Sequence, residues 1–136
     1  MLNSRFAIEV HILSLLAVCQ EPITSGFIAN SINCNPVLVR KELSVLNNAG
    51  LVVAQEGKNG GVRLAQNPSN IYLDELFSLV YQDGVLMSSN KNAPNPDCVI
   101  GRNINTLMGN INAGVKATLL KTLHRTSIAD LVKGIN

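Results

Sequence analysis

TSGFIANSINCNPVLVRKELSVLNNAGLVVAQEGKNGGVRLA, residues 24–65, holds two short amphipathic segments, a turn between them, and then a change of hydrophobic period. Thr24 and Ser25 offer oxygens to the unpaired amides that open a helix, and Phe27, Ile28 and Ile32 follow at helical spacing, so a helix is predicted over 25–32. Asn33-Cys34-Asn35 is turn chemistry. Pro36 suits the first position of the next helix, where an amide proton would go unpaired in any case. Val39, Leu43 and Leu46 give that helix one buried face as far as about residue 49, and Gly50 supplies a left-handed stop. LVVAQ then turns β-branched, GKNGG is a turn and VRLA alternates, which reads as a hairpin.

Outward from this stretch, Phe6, Val10, Leu13 and Ala17 recur at helical spacing behind Ser4, a candidate cap, and predict a first helix over 4–18 that Pro22 prevents from continuing. Ile71, Leu73, Leu76, Phe77 and Val80 outline a helix over 72–82. A polar stretch over 83–97, with Pro94 and Pro96, reads as a loop. Ile104, Met108, Ile111, Val115 and Leu119 form a seam on a helix over 102–124, and Thr126 or Ser127 caps a last short helix, IADLVKGI. The expected fold is therefore mainly α with a small β-hairpin wing. A winged helix-turn-helix occupies 1–83, a loop and candidate sensory region 84–101, and a dimerisation helix with a C-terminal helix 102–136. A seam of that length on a solitary helix would lie in water, so a homodimer is expected.

Composition narrows the class. With 46% hydrophobic and 15% charged residues the chain is not disordered, and 136 residues can bury one core without disulfides. A net charge of +2 is too mild to name a partner. The three cysteines, Cys19, Cys34 and Cys98, include no CxxC pair for zinc or redox exchange, which fits a reducing cytoplasm. Residues 6–19 resemble a secretory signal, but Glu9 and His11 interrupt the apolar run; no segment reaches the ~18 apolar residues of a membrane span. Neither a membrane partner nor an enzyme is expected, because His11 and His124 have no carboxylate pair or serine elbow beside them in the sequence.

In a helix-turn-helix the second helix carries its N-terminal half into the major groove. The candidate contacts to double-stranded DNA are Ser25, Asn35, Pro36, Val37, Arg40, Lys41 and Ser44. Arg40 can offer two parallel donors to guanine O6 and N7, and Lys41 a point charge to bases or phosphates. On the wing, Lys58, Asn59, Gly60 and Arg63 are candidates for phosphates or the edge of a minor groove. Each signal has a plainer reading: Arg40 and Lys41 also suit an ordinary solvated face, and the glycines a tight hairpin. A sequence-specific DNA-binding regulator is the leading reading. A winged-helix protein-interaction module is the alternative, favoured by the small net charge and by Glu56. Cys98, just before the long helix where free amides favour a thiolate, and Cys34, in the turn, are candidate redox sensors or inert thiols.

The segments NSRFA (3–7), VRKELSVLNNAGLV (39–52), GKNGGVRL (57–64), PSNIYLDEL (68–76) and IADL (128–131) together resemble the Rrf-two family of winged-helix transcription regulators. The resemblance implies a homodimer on a roughly palindromic operator, with the long C-terminal helices crossing at the interface; the ordered helices, Arg40, Lys41 and the wing lead to the expectation of a repressor, with a redox or small-molecule signal as input. Members that hold an iron–sulfur cluster carry three cysteines in the loop before the long helix. Here NAPNPDCVIG supplies only Cys98, and one thiolate cannot replace the usual four ligands, so a member without a cluster, and no cofactor, is expected. Glu56 and Val62 stand where the family usually has a basic and an aromatic residue. The wing is then expected to lean on Lys58 and Arg63.

Overall fold

Side chains that substitute for missing helical partners set where three of the helices begin. In the computed structural model, which describes residues 4–82, Leu86 and residues 92–135, the chain runs α1 (Arg5–Val18), α2 (Ser25–Ile32), α3 (Pro36–Asn48), β1 (Val52–Gln55) and β2 (Gly61–Leu64). A single 3-10 turn (Pro68–Asn70) precedes α4 (Leu73–Val80), α5 (Val99–Leu123) and α6 (Ile128–Val132). The Thr24 hydroxyl accepts from the Phe27 amide at 3.1 Å, and Asn35 Oδ1 accepts from the Val37 amide at 2.8 Å with Pro36 in the first turn. Asn33, at φ 62°, closes α2 in the left-handed region, and Gly50, at φ 77°, turns the chain after α3. Ser127 and Asp130 cap α6 reciprocally, at 2.9 and 3.1 Å.

Two expectations about helix starts need correction. Ser4 makes no capping hydrogen bond, because its backbone is already helical (φ −81°, ψ −7°), whereas a capping side chain reaches back to the first amides from an extended residue. The long helix starts at Val99 rather than at 102. Asn95 builds the turn that launches it: its side chain accepts from the Asp97 amide at 2.9 Å and its carbonyl from the Cys98 amide at 3.2 Å. Val99 and Ile100, both 62% exposed, lie in the first turn of α5 and give no buried-face signal. Of the expected loop over 83–97, residues 83–85 and 87–91 lie outside the described residues.

The main core joins both ends of the chain. Ile12 and Leu13 of α1, Ile28 of α2, Val39 and Leu46 of α3, Leu51, Ile71 and Leu76 are essentially fully buried together with Ile128 of α6. The C-terminal segment thus returns to the N-terminal half, fastened by Ile128 N–H to the Ile71 carbonyl (2.8 Å) and Leu73 N–H to the Thr126 carbonyl (3.0 Å). A second, smaller cluster of Phe77, Val80 and Tyr81 receives Leu119, Leu120 and Leu123 of α5. Phe6 meets Phe77 edge-on there, with ring centroids 6.0 Å apart. No described residue of the 25-residue α5 is buried.

β1 and β2 pair antiparallel, Val52 with Leu64 and Gln55 with Gly61. A third strand segment joins them: Ile23 and Val62 exchange both backbone hydrogen bonds, at 2.8 and 3.1 Å. That approach requires glycine at 61, since a Cβ there would lie 2.5 Å from the Ile23 carbonyl oxygen and φ is 155°. Gly61→Ala should therefore lower stability by about 1 kcal/mol or more. Hydrogen exchange at the Val62 amide checks the cause: it should accelerate in the variant, and an unchanged rate would show that the Ile23 bridge does not need this glycine.

Candidate nucleic-acid interface

The orientation of α3 decides what it can touch. Val39, Leu43 and Leu46 point into the core, and Val37, Arg40, Lys41 and Ser44 are exposed on the other side, Val37 by 62%. The helix contains one carboxylate, Glu42, and it is fully buried. Arg5 of α1 reaches it with Nε 2.7 Å from Oε1 and Nη2 3.4 Å from Oε2. Burial alone would raise the Glu42 pKa, but hydrogen bonding with Glu9 and Arg5 outweighs it and holds the group below the ordinary carboxylate range. Its charge is thus matched inside the domain, and the outward face of α3 presents Arg40 and Lys41 with no acidic neighbour on the same helix.

Arg40, Ser44 and Asn47 of α3 face Val52, Ala54 and Val62 of the hairpin across a shallow groove of about 190 Å³, so α3 and the wing form one surface. Lys58 and Asn59 are exposed at the hairpin tip, and Arg63 is exposed on β2 opposite Val53. Glu56 is exposed beside them. Among the other residues expected to contact DNA, Asn35 and Pro36 are exposed at the head of α3, with the Asn35 oxygen committed to capping. Ser25, in the first turn of α2, is half-buried. Gly60 is also half-buried, and a Cβ there would stand 2.3 Å from the Gln55 carbonyl oxygen, so hairpin closure by itself requires this glycine.

Sequence reasoning missed the Arg5–Glu42 pair and the buried Glu9 beside it. The available signal was a carboxylate inside each apolar stripe, Glu42 beside Leu43 and Glu9 between Ile8 and Ile12. The cysteines are far apart in role: Cys98 is exposed at the head of α5, Cys34 is half-buried in the turn between α2 and α3, and Cys19 is half-buried after α1. Among the described residues no group of three or more His, Cys, Asp or Glu is placed to hold a metal. On α5, Ile111 is exposed, and Ile104, Met108, Val115 and Leu119 are half-buried; Leu119 packs on the α4 cluster. None of the described helices is long and apolar enough to cross a membrane.

The Rrf2 family, described as an iron-dependent transcriptional regulator, matches residues 2–134. YwnA of Bacillus subtilis (strain 168), whose name proposes an HTH-type transcriptional regulator, is 33% identical over 132 residues, covering 97% of each chain. The fold is similar to a crystal structure whose description proposes a DNA binding protein, with TM-score 0.76 and 29% identity over 94% of this chain and 98% of that one. It is also similar to CymR, the global cysteine regulator of B. subtilis, with TM-score 0.71 and 21% identity over 100% and 98% of the two chains, a likeness of fold alone. With its helix-turn-helix, its wing and a family match over almost its whole length, the chain belongs to the Rrf2 family of transcriptional regulators, which are not enzymes.

Proposed function

We propose that this chain is a homodimeric, sequence-specific DNA-binding repressor acting on a roughly palindromic operator in the cytoplasm. The outward face of α3 carries the reading: Arg40 and Lys41 are exposed side by side while the one carboxylate of the helix is buried and matched by Arg5. The N-terminal half of α3 enters the major groove, with Arg40 donating to a guanine and Val37 and Ser44 against base edges. Lys41 at the groove edge and Lys58, Asn59 and Arg63 on the wing take the phosphates, which fixes register without reading sequence. Exposed Glu56 repels phosphate and keeps the wing contact modest.

The homodimer rests on unmatched apolar surface. The 25 residues of α5 span about 37 Å and carry the seam of Ile104, Met108, Ile111 and Val115. A second apolar groove of about 670 Å³ runs along α1 and α6, lined by Phe6, Val10, Leu15, Val18, Val132 and Ile135. Packing α5 against a symmetry mate buries such surface twice, and fixes two α3 helices at one half-site spacing. A redox or small-molecule signal acts through this helix, and Cys98 at its exposed head and Cys34 near α3 are the two thiols within reach of such an effect. No iron–sulfur cluster enters this reading, since the stretch before α5 supplies one cysteine, Cys98, against the usual four ligands.

Selection of bound fragments from the genome of the source organism, followed by titration against salt, tests the reading. Log affinity should fall in proportion to the phosphates contacted; a protein-interaction module would select no fragments. Arg40→Ala should relax preference at one position in each half-site and cost about 1 to 3 kcal/mol, whereas Lys58→Ala should weaken all sequences about equally and flatten the salt slope. Equal discrimination of cognate from scrambled DNA by Arg40→Ala and wild type would remove α3 as the reader. Ile111→Asp combined with Val115→Asp places charges in the seam and should give monomeric or insoluble protein by sedimentation, with DNA affinity lost. A soluble, fully dimeric double variant would put the interface elsewhere.

A further inference from the structure

Glu9 lies on α1 with no solvent exposure, and as an ionised carboxylate neither of its oxygens has a donor to accept from among the described residues. The nearest cation, Arg5 Nη2, stands 3.9 Å from Glu9 Oε2, beyond hydrogen-bond reach, because the guanidinium is engaged with Glu42. The cluster therefore contains two buried carboxyl groups and one guanidinium. With both acids ionised it would hold an uncompensated negative charge in the core, next to two orphaned acceptors, an arrangement that desolvation strongly disfavours. One proton on Glu9 resolves both problems. It removes the surplus charge and converts an orphaned acceptor into a donor for the Glu42 carboxylate.

We propose that Glu9 works as a neutral acid, a positioning residue whose proton completes the Arg5–Glu42–Glu9 cluster and so holds α3 in its DNA-reading pose. This rests on the DNA-binding reading above. Burial first, and then hydrogen bonding with Glu42 and its charge, push the Glu9 pKa up to about 8, against the opposing pull of Arg5. Lys41 acts on Glu42 from the exposed side, and Tyr81, at the end of α4, acts on Arg5. The other charged groups on the elements packed against α1 lie outside the cluster. Arg40, Arg63, Glu75, Asp130 and Lys133 are exposed, and Asp74 pairs with His124 at 3.0 Å.

The sign follows from proton counts. The folded chain keeps a proton on Glu9 at a pH where the unfolded chain, with an ordinary carboxyl near 4.5, has released it. The stability contributed by this group is full below the unfolded value and is lost as pH rises through the folded value near 8. Ionised Glu9 competes with Glu42 for Arg5, and α3 loses its donor-matched anchor. If DNA selects the protonated form, affinity should fall about tenfold between about pH 7 and pH 9 at constant ionic strength.

Anisotropy titration of full-length wild type and Glu9→Gln on genome-selected DNA measures this directly. Wild type should lose affinity across that range, and Glu9→Gln, which keeps a donor but cannot ionise, should not. Binding with the same pH profile in both proteins would overturn the role of Glu9 alone, and no wild-type binding at any pH would overturn the DNA reading itself. Carbon-13 NMR of the Glu9 carboxyl in the wild-type chain decides the matter even if the variant misfolds. A protonated signal at neutral pH that titrates near 8 is expected, and an ionised one would overturn the proposal.

Discussion

The ion pair between Arg5 and Glu42, 2.7 Å long and running from α1 to α3, is the constraint on which the outward face of α3 depends. A helix turns 100° per residue, so fixing Glu42 inward leaves little freedom for Arg40, Lys41 and Ser44, which must face away. The same pair removes the only negative charge that α3 could present to a polyanion. Breaking it from one side would strand a buried charge, which is far more damaging than losing a surface bridge. Arg5 can serve because its side chain remains 30% exposed while its Nε reaches the buried carboxylate, so the pair keeps partial contact with water.

Two apolar clusters divide the remaining work. The larger one binds α1, α2, α3 and α6 around Ile12, Leu46 and Ile128 into one packed head. The smaller one, Phe77, Val80 and Tyr81 against Leu119, Leu120 and Leu123, ties only the C-terminal end of α5 to that head. Among the described residues, nothing packs fully over the apolar side of the three or more turns of α5 before that point, which leaves that side for the assembly proposed above. The wing is held differently, by the backbone pairing of Ile23 with Val62. Its pose is therefore coupled to the segment between α1 and α2 rather than to its own short strands.

Local chemistry was legible in the sequence and long-range chemistry was not. Thr24, Asn35 with Pro36, Gly50 and Ser127 announced helix boundaries because capping acts over three residues. The exposed set Val37, Arg40, Lys41 and Ser44 followed from the helical period of Val39, Leu43 and Leu46. The Arg5–Glu42 pair spans 37 positions, and nothing in either neighbourhood names the other. Ile23 looks like a linker residue until Val62 is placed beside it. Ser4 has the right side chain for a cap but a helical backbone, and the start of α5 depends on Asn95, whose turn is hidden in a polar stretch. The wing glycines fit both phosphate contact and hairpin closure in the sequence; the geometry shows that closure demands glycine at 60, and the close approach of the Ile23 backbone demands it at 61.

The central claim is that α3 and the wing, displayed by this buried anchor, are the surface that meets DNA. Amide hydrogen exchange of the full chain, with and without a genome-selected DNA fragment, tests it most directly. The account predicts new protection in the first half of α3 and across the turn from Gly57 to Arg63, with α1 unchanged because it is already protected by the core. Protection confined to α5 or to the α1–α6 groove, with α3 and the wing exchanging as in the free protein, would contradict it.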